Sequence, residues 1–426
     1  MTLADTATLN RETPAPIAAA PVARIRDPRL DFFRGIAMFI ILFAHTPGNW
    51  VTLWIPARFG FSDATEIFVF CSGMASAIAF GGTFDRAGWT LGTARVGFRI
   101  WQVYWAHIGL FVATVGLTIF LTNLDVTGRN YWGQLNLWPL FVDSENWSNT
   151  ENMLALMTLR YVPNYFDILP MYMVVLAMMP LVMALSRVSL WAAAAPILLF
   201  WLFAQEALTA QLDLPHFAFP AEPWSERNWF FNPFGWALIF FTGFALMRGW
   251  IPKPPVTPLL LTIAALIVLA NVPLSNIGIR SANFEWLPLW WREFGVDWAR
   301  DWRIANRPWF DKSDFGILRY VHFLALAYLA WALAGEAGRR LLPPEGDGPI
   351  SRIWTPCLAA IMKVGQQSLA VFITSMFLAR LLGFSLDVLG RSYGTMALVN
   401  ITGCLILIAV AYGAGWFKTQ PWRARK

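Results

Sequence analysis

Long apolar runs separated by short polar segments dominate the pattern of this chain. A helix needs about 20 predominantly apolar residues to cross a hydrocarbon core of roughly 30 Å. Runs of this kind predict an all-α, polytopic integral membrane protein with about ten transmembrane helices, of which the fifth and sixth are short or interrupted. The predicted spans lie near 32–47, 67–83, 101–122, 168–184, 191–204, 233–247, 257–273, 317–335, 364–383 and 395–416.

Composition excludes the soluble classes of protein. Hydrophobic residues make up 57% of the 426 residues and charged residues only 14%, whereas an average soluble domain carries about 25% charged residues. The net charge of +6 does not indicate nucleic-acid binding, because basic residues in a membrane protein mainly mark the cytoplasmic loops. The three cysteines are odd in number and lack metal-site spacing, so the sequence predicts neither a disulfide framework nor a metal site.

Loop charges predict that both termini are cytoplasmic. The segments on the side of the N-terminus hold 18 Lys and Arg against 8 Asp and Glu, and the opposite segments hold 11 against 18. Since positive residues concentrate in cytoplasmic loops, the first set is assigned to the inside. It comprises 1–31, 84–100, 185–190, 248–256, 336–363 and 417–426.

The predicted domain organisation has one membrane domain between two tails. Residues 1–29 are rich in Ala, Thr and Pro and lack an apolar core, so we expect a disordered cytoplasmic tail rather than a secretory signal. Residues 30–417 form the transmembrane domain, and 418–426 form a basic cytoplasmic tail.

Arg34 and His45 place ionisable groups inside the first predicted span, where such groups are usually functional. They are 11 residues apart, which puts them on one helical face about 16 Å apart along the axis. Asp31 lies one turn before Arg34 and can pair with it. The competing interpretation is structural, with Arg34 reaching the lipid interface and His45 making a buried hydrogen bond.

Asp63 and Glu66 share a helical face at the start of the second predicted span. A short loop joins this span to the first, so either carboxylate could meet His45 and orient its imidazole. Solvation of both acids at the membrane interface is the alternative.

Further polar residues are predicted at the same membrane depth as His45. Arg319 and His322 share a face at the start of the eighth span, and Asp167 and Asn232 precede the fourth and sixth. Outer loops also hold 13 of the 24 tryptophans, which indicates either an interfacial aromatic belt or a surface that packs on carbohydrate. Phosphate-binding loops, serine elbows and zincin motifs are not found.

Six stretches of the sequence resemble the OpgC family of membrane acyltransferases. The first contains Leu30-Asp31-Phe-Phe-Arg34-Gly35 and His45-Thr-Pro, and the second contains Phe61-Ser-Asp63-Ala-Thr-Glu66. The other four are 165–172, 231–236, 319–328 and 365–372. An Arg followed by ten residues and a His is also the signature of the wider superfamily that acylates sugars.

The resemblance implies an inner-membrane O-acyltransferase that moves an acyl group, succinyl in this family, from cytoplasmic acyl-CoA to a periplasmic glucan. It implies no bound cofactor, with acyl-CoA as a co-substrate, and maps His45 to the catalytic histidine and Arg34 to its paired arginine. We expect Asp63, Glu66 and His322 to assist catalysis. The predicted substrate-binding residues are Arg34, Asp31, Arg319, Asp167 and Asn232. Intramembrane charges also suit a proton-coupled transporter or a sugar-lipid flippase, which is the alternative function.

Overall fold

A computed structural model describes residues 27–143, 148–346 and 348–423. Residues 1–26 of the predicted N-terminal tail and 424–426 of the basic C-terminal tail lie outside these ranges. Within them the chain is helical, apart from turns and one isolated antiparallel bridge between Pro220 and Asn228. This agrees with the all-α prediction.

Fifteen α-helices succeed one another along the described chain. They are α1 (Pro28–His45), α2 (Ala64–Ser76), α3 (Gly82–Asn123), α4 (Asn149–Met157), α5 (Ile168–Leu185), α6 (Leu190–Phe203), α7 (Glu206–Gln211), α8 (Pro233–Arg248), α9 (Pro258–Asn271), α10 (Leu289–Ala305), α11 (Arg307–Phe310), α12 (Ile317–Ala334), α13 (Pro349–Gln366), α14 (Ser368–Leu389) and α15 (Tyr393–Lys418). A π-helical turn, Ala77–Gly81, joins α2 to α3.

Five helical stretches of the described chain are long and apolar enough to cross a membrane, and three shorter apolar helices accompany them. Each of the ten predicted spans falls mainly on a helix, with the second and third on the continuous stretch Ala64–Asn123. The first predicted span lies on α1, which carries three charged residues, Arg29, Asp31 and Arg34, and is not among the five stretches. The chain is therefore a membrane protein, while the number of crossings and the side on which the termini lie stay predictions.

The helix starts follow from the local sequence. Asp27 caps α1, where its side chain accepts a hydrogen bond from the Arg29 amide at 3.0 Å, and Pro28 occupies the first turn. Asp63 and Glu66 form a reciprocal capping box at the start of α2. These two acids therefore have a structural role as well as any role in the site.

Helix α1 crosses α13 at very short distance through two facing glycines. A Cβ atom at Gly35 would lie 2.1 Å from the Ile361 carbonyl oxygen, and one at Gly365 would lie 1.9 Å from the Asp31 carbonyl oxygen. Small residues permit such backbone contact between membrane helices. Helix α1 also packs against α2 and α14, so it lies at the centre of the bundle.

Two amphipathic helices were not predicted as helices. Helix α10 lies in the predicted outer segment 274–316, and α13 lies mostly in the predicted inner segment 336–363. The helix that carries the ninth predicted span, α14, starts at Ser368, because α13 continues to Gln366. Neither helix has a continuous apolar run, and a search for spans therefore passes over both.

Candidate active site

His45 ends α1 and lines a cavity of about 280 Å³. The cavity is lined by residues of α1, α2, α5 and α14 and by the segments that precede α5, α8 and α12. Its walls are mostly apolar or aromatic, with a few polar groups among them. The lining residues are Ile41, His45, Thr65, Phe68, Asn164, Tyr165, Ile168, Phe230, Phe231, Lys312, Phe372 and Met376.

A backbone carbonyl orients the imidazole of His45. The distance from His45 Nδ1 to the Ile41 carbonyl oxygen is 2.8 Å. Because a carbonyl oxygen accepts hydrogen bonds and cannot donate them, Nδ1 carries the proton and Nε2 keeps its lone pair. The predicted contact of His45 with Asp63 or Glu66 is not the one found, since both acids bind cations instead.

Tyr165 packs against the imidazole of His45, and Arg380 packs on Tyr165. The Tyr165 ring meets that of His45 edge to face, with 5.5 Å between centroids, and its hydroxyl donates to the Met376 carbonyl at 2.5 Å. The Arg380 guanidinium carbon lies 3.9 Å from the Tyr165 ring centroid, a cation–π contact. Tyr165 adopts a φ of +96°, which is strained for a bulky side chain and is common at functional sites.

Lys312 and Asp63 form an ion pair beside the cavity. The distance from Lys312 Nζ to Asp63 Oδ2 is 2.5 Å, and the same Nζ lies 5.5 Å from the Phe231 ring centroid. Asp63 Oδ1 accepts from the Thr65 amide at 2.7 Å. Asp63 therefore reaches the cavity indirectly, by holding a lysine that lines it.

Glu66 and Arg319 form a buried pair behind this lysine. Arg319 Nη1 donates to Glu66 Oε1 at 2.7 Å, and Glu66 Oε2 accepts from the Asp63 amide at 2.7 Å. Glu66 is fully buried. The structure thus places two predicted site residues in direct contact, although neither lines the cavity around His45.

His322 lies away from the lining of that cavity. Its Nδ1 is 2.7 Å from the Ser62 hydroxyl and accepts from the Ser62 amide at 3.3 Å. The other edge of its ring packs against Gly60, where a Cβ atom would lie 2.2 Å from Nε2. These contacts join α12 to the loop before α2, and a catalytic role for His322 stays a prediction.

Arg34 is buried near the opposite end of α1. Its Nη1 lies 3.4 Å from the Ser368 hydroxyl, while Nε and Nη2 have no hydrogen-bond partner within the described part of the chain. Asp31 accepts from Gln366 Nε2 at 3.3 Å. A buried guanidinium with free donors is costly without an anion, so Arg34 is suited to binding one.

Asp167 and Asn232 directly precede the two helices α5 and α8 next to the cavity. Asp167 precedes α5 and accepts from the Phe230 amide at 2.8 Å, so it fixes a residue of the cavity wall. Asn232 caps α8 and donates from Nδ2 to Asp314 Oδ1 at 2.9 Å. Both are buried and absent from the lining, which makes them supports of the wall in this structure.

The sequence reasoning missed Lys312, Tyr165 and Arg380 as site residues. Arg380 had a usable signal, since it is a charged residue within the predicted span 364–383. Lys312 lies in a loop with many charges, and its approach to His45 depends on contacts between residues distant in sequence.

Comparison with protein families gives one match over most of the chain. The family model described as OpgC protein covers residues 26–419. Searches for similar curated proteins and for similar solved structures gave no match. The matched region contains Arg34, His45 and all the residues that line the cavity. On this evidence the chain belongs to the OpgC family.

Proposed function

We propose that the protein is a membrane O-acyltransferase that moves an acyl group from acyl-CoA to a hydroxyl of a periplasmic glucan. Membership of the OpgC family suggests a glucan-modifying acyltransferase. The proposal also includes a succinyl donor, a histidine base and a location in the bacterial inner membrane. One observation carries it: His45 faces a cavity with Nδ1 held by the Ile41 carbonyl, on the same helix as the buried Arg34.

The proposed reaction is proton transfer coupled to acyl transfer. Nε2 of His45 takes the proton from a glucan hydroxyl while its oxygen attacks the thioester carbonyl carbon. A new carbon–oxygen ester bond forms and the carbon–sulfur bond breaks, and the imidazolium then returns the proton to the departing CoA thiolate. A variant in which His45 is acylated first uses the same residues in two steps.

The negative charge that develops on the thioester carbonyl oxygen needs hydrogen-bond donors close to the cavity. Lys312 is one candidate, since it lines the cavity. Asn164 is another, because Arg227 donates to its Oδ1 at 2.6 Å, while its amide Nδ2 donates to no residue of the described ranges. Preorganised donors of this kind stabilise the negative charge of a tetrahedral intermediate.

Arg34 is the proposed binding residue for the CoA phosphates. It lies 11 residues before His45, about 16 Å along the helix, a distance that an extended pantetheine arm can cover. Its unpartnered Nε and Nη2 offer the charge-assisted hydrogen bonds that a phosphate accepts. Two further arginines of α3, the exposed Arg95 and the half-buried Arg99, donate instead to Thr83 and Gln102.

The test is mass spectrometry of periplasmic glucans from a deletion strain complemented with wild type, with His45→Ala or with His216→Gln. His216 is the matched control, because it is a histidine outside the cavity lining. We expect wild type and His216→Gln to restore an acyl mass, while His45→Ala lowers transfer by about 10²–10⁴. Acylation retained in His45→Ala would contradict the role of His45 as the base. Glucans without any acyl mass in the wild type would favour the alternative function as a transporter.

A further inference from the structure

A second pocket of about 160 Å³ adjoins the cavity around His45. Lys312 lines both, and its Nζ lies between the Phe231 ring of the first cavity and the carboxylate of Asp63 in the second. The two spaces therefore share one wall residue, the ion-paired Lys312. The lining residues are Ala57, Gly60, Phe61, Asp63, Asn276, Arg303, Phe310, Lys312 and Arg319.

Positive charge exceeds negative charge around the second pocket. Three cations, Arg303, Lys312 and Arg319, face one lining carboxylate, that of Asp63. Glu66 lies behind the lining and pairs with Arg319, so one positive charge is not compensated even when Glu66 is included.

Arg303 carries that charge. Its Nη1 donates to the Leu274 carbonyl at 2.5 Å, and within the described ranges it has no acidic partner. Burial, and then the positive charge of Arg319, lower the pKa of Arg303. Two guanidinium groups that repel each other across a small pocket favour an anion between them.

Aromatic rings form the apolar wall of the same pocket. Phe61 and Phe310 stack with 4.6 Å between centroids, and the Arg303 guanidinium carbon lies 4.9 Å from the Phe310 ring. The pocket thus combines cationic donors with a flat apolar surface. This combination suits a short carbon chain that ends in a carboxylate.

We propose that the second pocket is a carboxylate subsite that selects acyl groups with a free terminal carboxylate, with Arg303 as the specificity-determining residue. The proposal rests on the acyltransferase function proposed above. The acyl carbonyl lies at His45, the intervening carbons pass Lys312, and the terminal carboxylate accepts hydrogen bonds from Arg303. An acyl group without that carboxylate leaves the arginine unpaired and binds less tightly.

The first experiment measures binding and needs no turnover. The full-length protein in detergent is titrated with monomethyl succinate and with its neutral analogue dimethyl succinate. Variants Arg303→Gln and Arg303→Lys are compared with Arg300→Gln, a control on the same helix whose side chain is exposed and pairs with Asp297. Thermal unfolding in the absence of ligand shows that each variant is folded.

The expected result is that wild type and Arg300→Gln bind monomethyl succinate at least 10-fold more tightly than dimethyl succinate. Arg303→Gln should lose that preference, and Arg303→Lys should keep part of it because it retains the charge. An equal preference in Arg303→Gln and wild type would overturn the proposal, as would equal binding of the two esters by wild type.

A second experiment tests whether the bound carboxylate belongs to the acyl group or to the acceptor. Initial rates with succinyl-CoA and acetyl-CoA are compared for wild type, Arg303→Gln and Arg300→Gln. The proposal expects Arg303→Gln to lose about 10-fold in kcat/KM for succinyl-CoA relative to acetyl-CoA. Unchanged selectivity with altered ester binding would place the carboxylate on the acceptor and overturn this assignment. A wild type that binds the monoester but transfers neither acyl group would contradict the proposed function alone.

Discussion

The guanidinium of Arg380 lies over one face of the Tyr165 ring, 3.9 Å from its centroid. The same ring meets His45 edge to face. Tyr165 therefore lies between the imidazole and the charged side chain of Arg380 on α14. Tyr165 also holds a strained backbone conformation, with φ at +96°. The three side chains thus form a series of contacts that ends at the ring of the proposed base.

Arg380→Met is expected to lower acyl transfer by about 10-fold while the protein remains folded. A cation–π contact in a desolvated site is worth about 2 kcal/mol, and about 1.4 kcal/mol of transition-state stabilisation changes a rate 10-fold. The loss should appear in kcat, since the substituted side chain positions His45. Initial rates at a saturating concentration of acyl donor measure kcat. An unchanged kcat would show that the contact of Arg380 with Tyr165 does not position His45.

Arg34→Gln is expected to raise the KM for acyl-CoA at least 10-fold with a smaller change in kcat. Charge-assisted hydrogen bonds to a phosphate are about twice as strong as neutral ones, and Gln lacks the charge. Arg187→Gln serves as the control, because Arg187 is exposed in the loop before α6. An equal KM for acyl-CoA in both variants would contradict the proposed role of Arg34 in phosphate binding.

Gly365→Ala is expected to lower the unfolding temperature of the purified protein, because its Cβ would lie 1.9 Å from the Asp31 carbonyl oxygen. Overpacking of this kind costs about 1–3 kcal/mol of unfolding free energy. Gly413→Ala on α15 is the matched control, since no atom lies within 4 Å of its added Cβ. Thermal unfolding in detergent compares the two, and equal stability would argue against close contact between α1 and α13.

His216 is expected to make stability depend on pH. Its hydrogen bond with Asp314, 3.5 Å from His216 Nε2 to Asp314 Oδ1, raises the pKa of His216. The stabilisation is therefore fully present below the unfolded-state pKa of about 6.5. It is lost as the pH rises through the folded-state pKa. His216→Gln should lower the unfolding temperature at pH 5.5 and have little effect at pH 9, and equal losses at both would contradict this.

The sequence was sufficient to predict the helical membrane fold and the placement of Arg34 and His45 on one helix. Both follow from short-range patterns, namely apolar run length and the helical repeat. The partners of the charged residues could not be read in that way. Glu66 contacts Arg319, which is 253 positions away, and Asp63 contacts Lys312, 249 positions away. Their pairing depends on how α2 and α12 pack together.

The residue that orients His45 also lay beyond sequence reasoning, for a different reason. A carboxylate was expected, because acids lie nearby in the chain. The acceptor is instead the carbonyl of Ile41, a group that every residue possesses. Residue types therefore carry no signal for it, and it is seen only when the side-chain rotamer is known.

Because Arg34 and His45 share α1, the reach of the site is set by helical rise and not by any loop. Loop sequences can change without altering the distance between the proposed phosphate-binding residue and the proposed base. A single residue inserted between the two would add only about 1.5 Å but would rotate one end by about 100° relative to the other. Under the proposed function, α1 therefore sets both the length and the direction of the donor that fits, and changes in loop sequence leave both unaltered.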